Sequence, residues 1–404
     1  MTRPSVLLVH NRYQESGGED AVFEAEAALL EEHGHPVSRL VFDNREIPAQ
    51  PSLSEKASLA ASTIWSTKAA ARVREVLRAH RPDIAHFHNT LPLVSPAAYA
   101  ACRREGVAVV QTLHNYRLVC PNGLLFRDDR PCEDCIGRAA PLPAVVHACY
   151  RGSRLQSATV AAMLTLHRLR GTWRNDVDLY LAPSEFLKRK LTDGGLPAER
   201  VAVRPNFLAP DPGERVGVGG YALFVGRLTA SKGVQTRLDA WQRLDLPLRV
   251  AGAGPLAPAV ERAAAASAGA LRYLGHLSRS EVLLQMKGAR FLVFSSQWYE
   301  NFPVTIVEAF ACGLPVVAAG LGATAEIVAD GRTGVHFAPG NARDLAAKAA
   351  WAWSRPSELQ RLGRAARQEF LERYTPERAY SHLMDLYGRV QARPSVSIAA
   401  TARA

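Results

Sequence analysis

Two series of short apolar runs, each alternating with longer stretches of helical spacing, constrain this chain more than any other feature. Val6–His10, Pro36–Val41, Ile84–His88, Val107–Leu113 and Leu179–Ala182 make the first series. Tyr221–Val225, Leu248–Ala251, Leu271–Leu274, Phe291–Ser295, Val316–Ala318 and Gly334–Phe337 make the second. Short, nearly continuous apolar runs suit strands buried on both faces, the pattern of a parallel sheet covered by helices. Helical spacing falls between them at Ser231–Leu244, Ser280–Lys287 and Pro303–Cys312. From Asp344 to about Val390 it continues, interrupted near Pro356 and Pro376. Between the series lies Ala209–Gly220, with two Pro, four Gly and no hydrophobic period, which reads as a linker. The expected architecture is α/β, with two doubly wound Rossmann-like domains facing an interdomain cleft. In such folds ligands bind outside the carboxyl ends of the strands, so residues just after strands come first.

Composition excludes several other classes. The 404 residues are 48% hydrophobic and 22% charged, the balance of a globular chain. No apolar run approaches the ~20 residues that span a bilayer. The longest candidate, Ser157–Leu166, is followed by His167, Arg168 and Arg170. Val6–His10 reads as a first buried strand and not as a secretory signal. Six cysteines without such a signal point to a reducing cytoplasm. The net charge of +11 rests mainly on Arg, and its distribution says more than its size. Between Cys135 and Asn175 stand Arg138, Arg151, Arg154, Arg168, Arg170 and Arg174, with no acidic residue. Ala158–Leu166 in its middle is apolar. A helix of that kind suits the surface of an anionic membrane, and equally a core helix with solvated arginine ends. No basic run interleaved with aromatics is present, so nucleic acid is not an expected partner.

The segment from Glu300 to Pro315 carries the most chemistry. Glu300 would lie in the loop after a strand, with Asn301 as cap, Pro303 in the first helical turn and Glu308 about one turn in. Gly313 and Pro315 would end the helix. A helix amino end favours phosphate, and a nearby carboxylate accepts hydrogen bonds from sugar hydroxyls. Arg227 follows the first strand of the second series and Lys232 precedes the next helix. Two cations there would neutralise a diphosphate, with Gly226 and Gly233 permitting close backbone approach. Gly17-Gly18-Glu19 lies between the first strand and first helix, either as a phosphate-approaching turn or as a plain one. His114 ends the strand that begins at Val107, a catalytic position in an α/β sheet. His86 and His88 share one strand face, which suggests packing or substrate contact more than a metal, since no acidic ligand cluster follows. Cys132-x-x-Cys135 has chelate spacing, and with Cys120 and Cys149 would suit a structural zinc. Only one such pair is present, and buried reduced thiols are the plainer reading.

Together these segments resemble the GT-B fold retaining glycosyltransferases of family four, whose hallmark Glu-x₇-Glu element matches Glu300 and Glu308. The likeness extends over Gly17-Gly18, Thr112-Leu113-His114-Asn115, Val225-Gly226-Arg227-Leu228 and Ser231-Lys232-Gly233. It continues through Ala251-Gly252-Ala253-Gly254-Pro255, Leu274-Gly275-His276-Leu277 and Glu326-Ile327-Val328. The resemblance implies transfer of a sugar from a nucleotide-sugar donor with retention at the anomeric carbon and without a metal or other cofactor. His114, Glu300, Arg227 and Lys232 would be the catalytic set. Arg227 and Lys232 would hold the diphosphate, aided by the Gly17-Gly18 backbone, and His114 would contact the sugar near the reaction centre. Glu308 would bind the ribose, and Glu300 with Asn301, Phe302, Pro303 and Val304 would touch the donor sugar. Gly226, Gly252, Gly254 and Leu274-Gly275-His276 would complete the donor pocket, with the Tyr273–His276 loop bordering the base. Asn301 departs from the Gly that the family often carries there.

The domains implied are 1–208 on the acceptor side, a linker at 209–220 and a donor-binding domain at 221–375. A helix at 376–390 would cross back to the first domain, and 391–404 would form a disordered tail. The acceptor would be a glycan or lipid-linked sugar in bacterial surface polysaccharide or glycolipid assembly. The protein would be cytoplasmic, with peripheral contact at the inner face of the membrane. Rival readings are a nucleotide-sugar epimerase, a sugar phosphorylase, and a non-catalytic nucleotide-sugar-binding subunit. A metal-dependent hydrolase built on His86 and His88 is the remotest.

Overall fold

The computed structural model describes residues 3–14 and 17–392, so the expected tail falls almost wholly outside the described residues. Contacts divide the chain into two units. The first comprises residues up to Leu124, Glu133–Arg204 and the chain from Tyr380 on; the second comprises Leu125–Cys132 and Pro205–Ala379.

In the first unit six strands form one parallel sheet. They are β1 (Val6–Arg12), β2 (Val37–Asp43), β3 (Ile84–Phe87), β4 (Ala108–Thr112), β7 (Leu179–Ala182) and β8 (Val201–Val203). Their order is β2-β1-β3-β4-β7-β8, so the order in which strands are added reverses between β1 and β3 while all stay parallel. Alternate β1 residues Val6 and Leu8 join Phe23, Ala27 and Leu30 of helix Gly18–Glu32 in one core. Leu383, Leu386, Tyr387 and Val390 of helix Pro376–Gln391 belong to the same core. A two-stranded hairpin, β5 (Phe126–Arg127) and β6 (Arg130–Pro131), is grouped with the second unit.

The second unit repeats the design with β9 (Ala222–Val225), β10 (Leu248–Ala251), β11 (Leu271–Gly275), β12 (Phe291–Phe294), β13 (Val316–Ala319) and β14 (Gly334–Phe337). The order is β11-β10-β9-β12-β13-β14, again parallel, with the reversal between β9 and β12. Side chains alternate across this sheet: Ala222, Phe224 and Val293 enter one core, and Leu223, Leu292 and Val316 the other. Burial on both faces explains why these strands read as unbroken apolar runs.

Some local expectations change. The helix expected over Ser231–Leu244 is a 3₁₀ turn at Ala230–Lys232 followed by an α-helix at Val234–Trp241. Gly233 separates them in the left-handed region at φ +66°, where a Cβ would lie 1.9 Å from the Ser295 carbonyl oxygen. Asn301 does not cap the next helix. Pro303 takes the cap position of helix Val304–Ala311, with no side-chain capping bond. Strand β8 and the hairpin were not foreseen; the hairpin turns through Asp128 and Asp129 at φ +53° and +55°, a conformation aspartate tolerates.

Candidate functional site

In the second unit, three loops at the carboxyl ends of neighbouring strands are laced together by backbone bonds. Gly226 N–H donates to Ala251 O at 3.0 Å, and Gly252 N–H to Gly275 O at 2.7 Å. Gly252 lies at φ +144°, and a Cβ there would come within 1.9 Å of Gly226 O. Tyr273 Oη donates to Gly252 O at 3.0 Å. The loop after β12 is tied to the turn after β9 by Gln297 N–H donating to Ser231 O at 2.8 Å and Ser295 Oγ donating to Lys232 O at 2.9 Å. These ties fix the position from which Lys232 projects.

Lys232 and Glu300 then meet directly. Lys232 Nζ lies 2.5 Å from Glu300 Oε1 and 5.1 Å over the Trp298 ring. Ser296 Oγ donates to the same carboxylate oxygen at 2.7 Å. The Glu300 side chain is 8% exposed and that of Lys232 is 24% exposed, so the carboxylate is the more desolvated partner. Arg227 is exposed just after β9. Glu308, on the helix that follows, does not join this pair: its Oε1 faces Arg279 Nε at 3.4 Å. Burial raises the Glu308 carboxyl above its usual range, opposed by Arg279. Gly275 ends β11 and His276 beyond it is exposed. Phe302 packs edge-on against Tyr374, with ring centroids 5.8 Å apart.

In the first unit, His114 follows β4 and lines a small cavity with His88, Asn89, Thr90, Gln111 and Arg117. His114 Nε2 is 3.1 Å from His88 Nδ1. Behind them lies Glu26, fully buried, paired through one oxygen with Arg204. Its other oxygen is 2.9 Å from His86 Nδ1 and 3.5 Å from His88 Nε2. Burial alone would raise the Glu26 carboxyl, but Arg204 and then His86 outweigh it and hold it well below its usual value. Burial also pushes His88 down to about 4 and His114 well below the usual imidazole value, so both rings are neutral near pH 7. His10 Nε2 lies 2.7 Å from Asp20 Oδ1. Gly17 N–H donates to the other Asp20 oxygen at 2.8 Å, so this amide serves its own helix.

Glu26, His86 and His88 are the one group among the described residues whose acidic, imidazole or thiol ligand atoms cluster in threes within 4.8 Å. The acidic partner that the sequence did not reveal is therefore present. Arg204 already supplies its counter-charge, and a cation bound there would face that guanidinium. The four cysteines expected to suit zinc do not gather in this way. Cys120 Sγ donates to Asn122 Oδ1 at 2.9 Å and Cys135 Sγ to Pro141 O at 3.9 Å. Arg279, Ser296 and Trp298 in the second unit and Glu26 and Arg117 in the first escaped the sequence reading. Only Glu26 had a sequence signal, an acidic residue on the apolar face of the first helix.

Residues 16–211 match the family described as Glycosyltransferase Family 4, and residues 217–369 match Glycosyl transferases group 1. Each sheet with its loops is a Rossmann-like half of the GT-B kind, and the chain belongs to the family-four, group 1 glycosyltransferases. Glycogen synthase of Mycobacterium tuberculosis is 28% identical over 298 residues, covering 72% of this chain and 65% of that protein. D-rhamnosyltransferase WbpZ of Pseudomonas aeruginosa is 28% identical over 158 residues, 38% of this chain and 42% of that one. The crystal structure of Anabaena HepE in complex with UDP superposes with a TM-score of 0.67 at 17% identity, covering 95% of this chain and all of that one. The chain thus spans less than two thirds of these curated relatives' own length, 65% of the first and 42% of the second.

Proposed function

We propose that the protein is a retaining glycosyltransferase that moves a sugar from a nucleotide-sugar donor to an acceptor hydroxyl, with its own cations in place of a metal. The Lys232–Glu300–Ser296 cluster at the reversal between β9 and β12 carries this reading, because that is where doubly wound sheets bind ligands. As the glycosidic bond breaks, its electron pair passes to the diphosphate while the sugar becomes cation-like. Lys232, aided by Arg227, stabilises the growing negative charge, and such preorganised groups act more strongly on the transition state than on the ground state. Glu300 takes sugar hydroxyls once the diphosphate engages Lys232, Glu308 takes the ribose, and the loop Leu274-Gly275-His276 borders the base. His114 meets the donor sugar. Because the Gly17 amide is held by Asp20, diphosphate binding rests on Lys232 and Arg227 more than on that loop.

The acceptor we propose is a glycan on a lipid carrier, as in assembly of a bacterial surface polysaccharide at the inner face of the membrane. Helix Arg154–Leu169 supports it. Leu155, Leu166 and Leu169 are 76%, 49% and 80% exposed, and with exposed Ala162 they recur at helical spacing. Leu142 and Val146 on the preceding helix are exposed as well. This apolar stripe lies in the segment that carries six arginines and no acid, the chemistry of an anionic lipid surface. No helix among the described residues is long and apolar enough to cross a membrane.

The test is a transfer assay with labelled nucleotide sugars and extracted lipid-linked acceptors, with chelator present. Labelled product whose anomeric configuration matches the donor supports the reading. Sugar phosphate released only with added phosphate, or an isomerised sugar formed without acceptor, would replace it with a phosphorylase or an epimerase. Co-sedimentation with anionic vesicles, lost in Leu155→Ser/Leu169→Ser, tests the membrane contact; equal binding by both proteins, or by neither, removes it.

A further inference from the structure

Glu26 is fully buried on the helix between β1 and β2, and none of the donor-binding roles assigned above falls to it. A buried carboxylate needs a reason, and the Arg204 pair satisfies only one of its oxygens. The other oxygen faces two imidazoles. His86 is otherwise occupied, with Nδ1 2.8 Å from Tyr387 Oη and Nε2 2.8 Å from Thr112 Oγ1. His88 is different. Its Nε2 is buried and has no hydrogen-bond partner, and the Glu26 oxygen lies 3.5 Å away. Its Nδ1 meets His114 Nε2 at 3.1 Å, with the two rings stacked at 5.2 Å between centroids.

We propose that Glu26 sets the proton arrangement of His114 through His88, so that His114 carries its proton on Nε2 and not on Nδ1. The two rings share one short contact, so one of the facing nitrogens carries the proton and the other accepts it. Suppose His88 held its proton on Nδ1. Its Nε2 lone pair would then face a carboxylate oxygen without water between them, a repulsion that low dielectric strengthens. With the proton on Nε2 the same contact is attractive. His88 Nδ1 then accepts, His114 donates through Nε2–H, and the remaining His114 nitrogen is an acceptor. Glu26 and His88 are positioning residues: they act on substrate only through His114. The consequence is that His114 has no proton on Nδ1 to give to a leaving group. This inference rests on the assignment of His114 to the donor sugar, but its primary readout needs no substrate.

The experiment is long-range proton–nitrogen correlation spectroscopy of the full chain labelled with ¹⁵N-histidine, near pH 7, with His114→Gln and His88→Phe used for assignment. The expected spectrum shows His88 and His114 as neutral rings protonated on Nε2. In Glu26→Gln that preference is lost at both rings, kcat falls about 10–100-fold, as for other partners that fix a histidine's tautomer, and nucleoside diphosphate affinity is unchanged. Glu26→Asp, which keeps the charge, restores part of the activity. Since Glu26→Gln weakens the Arg204 pair and could impair folding, His88→Phe provides the second route: it leaves that pair intact and should release the His114 preference. A wild-type His114 protonated on Nδ1, or a His114 pattern unchanged in both variants, overturns the proposal. An inactive wild type with the expected spectrum would instead count against the transferase reading alone.

Discussion

Lys232→Ala tests catalysis and stability at the same position. In the folded protein the Glu300 carboxylate is nearly buried and has two named polar partners, Lys232 at 2.5 Å and Ser296 at 2.7 Å. Removing Lys232 takes away the cation that faces that charge. Leaving a buried group short of its partner costs about 1–3 kcal/mol, more for charged groups. For a unit of this size each kcal/mol lowers Tm by roughly 2–4 °C, so a fall of several degrees is expected. Glu300→Gln is the asymmetric control: Lys232 is a quarter exposed, water replaces the lost partner, and the change should stay within about 1 kcal/mol. The double variant should recover much of the loss from Lys232→Ala. In steady-state kinetics Lys232→Ala should lower kcat by about 10²–10³, the scale for losing one preorganised charge donor, with a smaller change in donor affinity. A weakened Kd at unchanged kcat would refute the transition-state role. A Glu300→Gln variant as unstable as Lys232→Ala would refute the burial argument.

Three further outcomes follow from the same contacts. Glu308→Ala should weaken nucleoside diphosphate binding by about 1.5–3 kcal/mol in calorimetric titration, the size of hydrogen bonds to a charged group; because burial raises the Glu308 carboxyl, wild-type affinity should fall on acidification before ordinary glutamates protonate. Arg204→Met should cost about 3–5 kcal/mol in urea unfolding by stranding buried Glu26. The sign of its pH dependence is diagnostic. The depressed wild-type carboxyl stabilises the fold above the unfolded value of about 4.3 and loses that contribution as pH falls through the lower folded value. In the variant the buried carboxyl is raised, so moderate acidification should narrow the deficit relative to wild type; a constant deficit from pH 7 to 5 would show that the pair does not act this way. Gly252→Ala should sharply lower Tm, since its Cβ would strike Gly226 O at 1.9 Å on a backbone that L-residues rarely adopt; an unchanged Tm would mean the three loops can part freely.

Much of the fold was legible because the strands are buried on both faces. Leu179–Ala182, Leu248–Ala251 and Gly334–Phe337 fall where the apolar runs do, and Pro356 and Pro376 open helices where the pattern breaks. Elements that bury little were missed. Strand β8 is short, and the hairpin depends on two aspartates in left-handed conformation. The helix after Lys232 begins late because Gly233 must clear the Ser295 carbonyl, a long-range contact with no local trace. The same limit applies to the site. Positions after strands pointed to Lys232, Glu300 and His114, yet the partners that tune them come from elsewhere in the chain. Arg279 reaches Glu308 from another helix, and Glu26 reaches His88 from 62 residues earlier in sequence. Such pairings are made by packing and leave no spacing to read.

Every donor-side role proposed above depends on the second unit binding a nucleotide-sugar. A thermal-shift titration of the full chain against UDP, GDP, dTDP and ADP, with and without chelator, tests it most directly. Ligand at a hundred times its Kd adds about 2.7 kcal/mol of stability, enough to raise Tm visibly. One nucleotide should stabilise the protein, unaffected by chelator, and Glu308→Ala should need far more of it. No response to any of the four, or an equal response in Glu308→Ala, would contradict it.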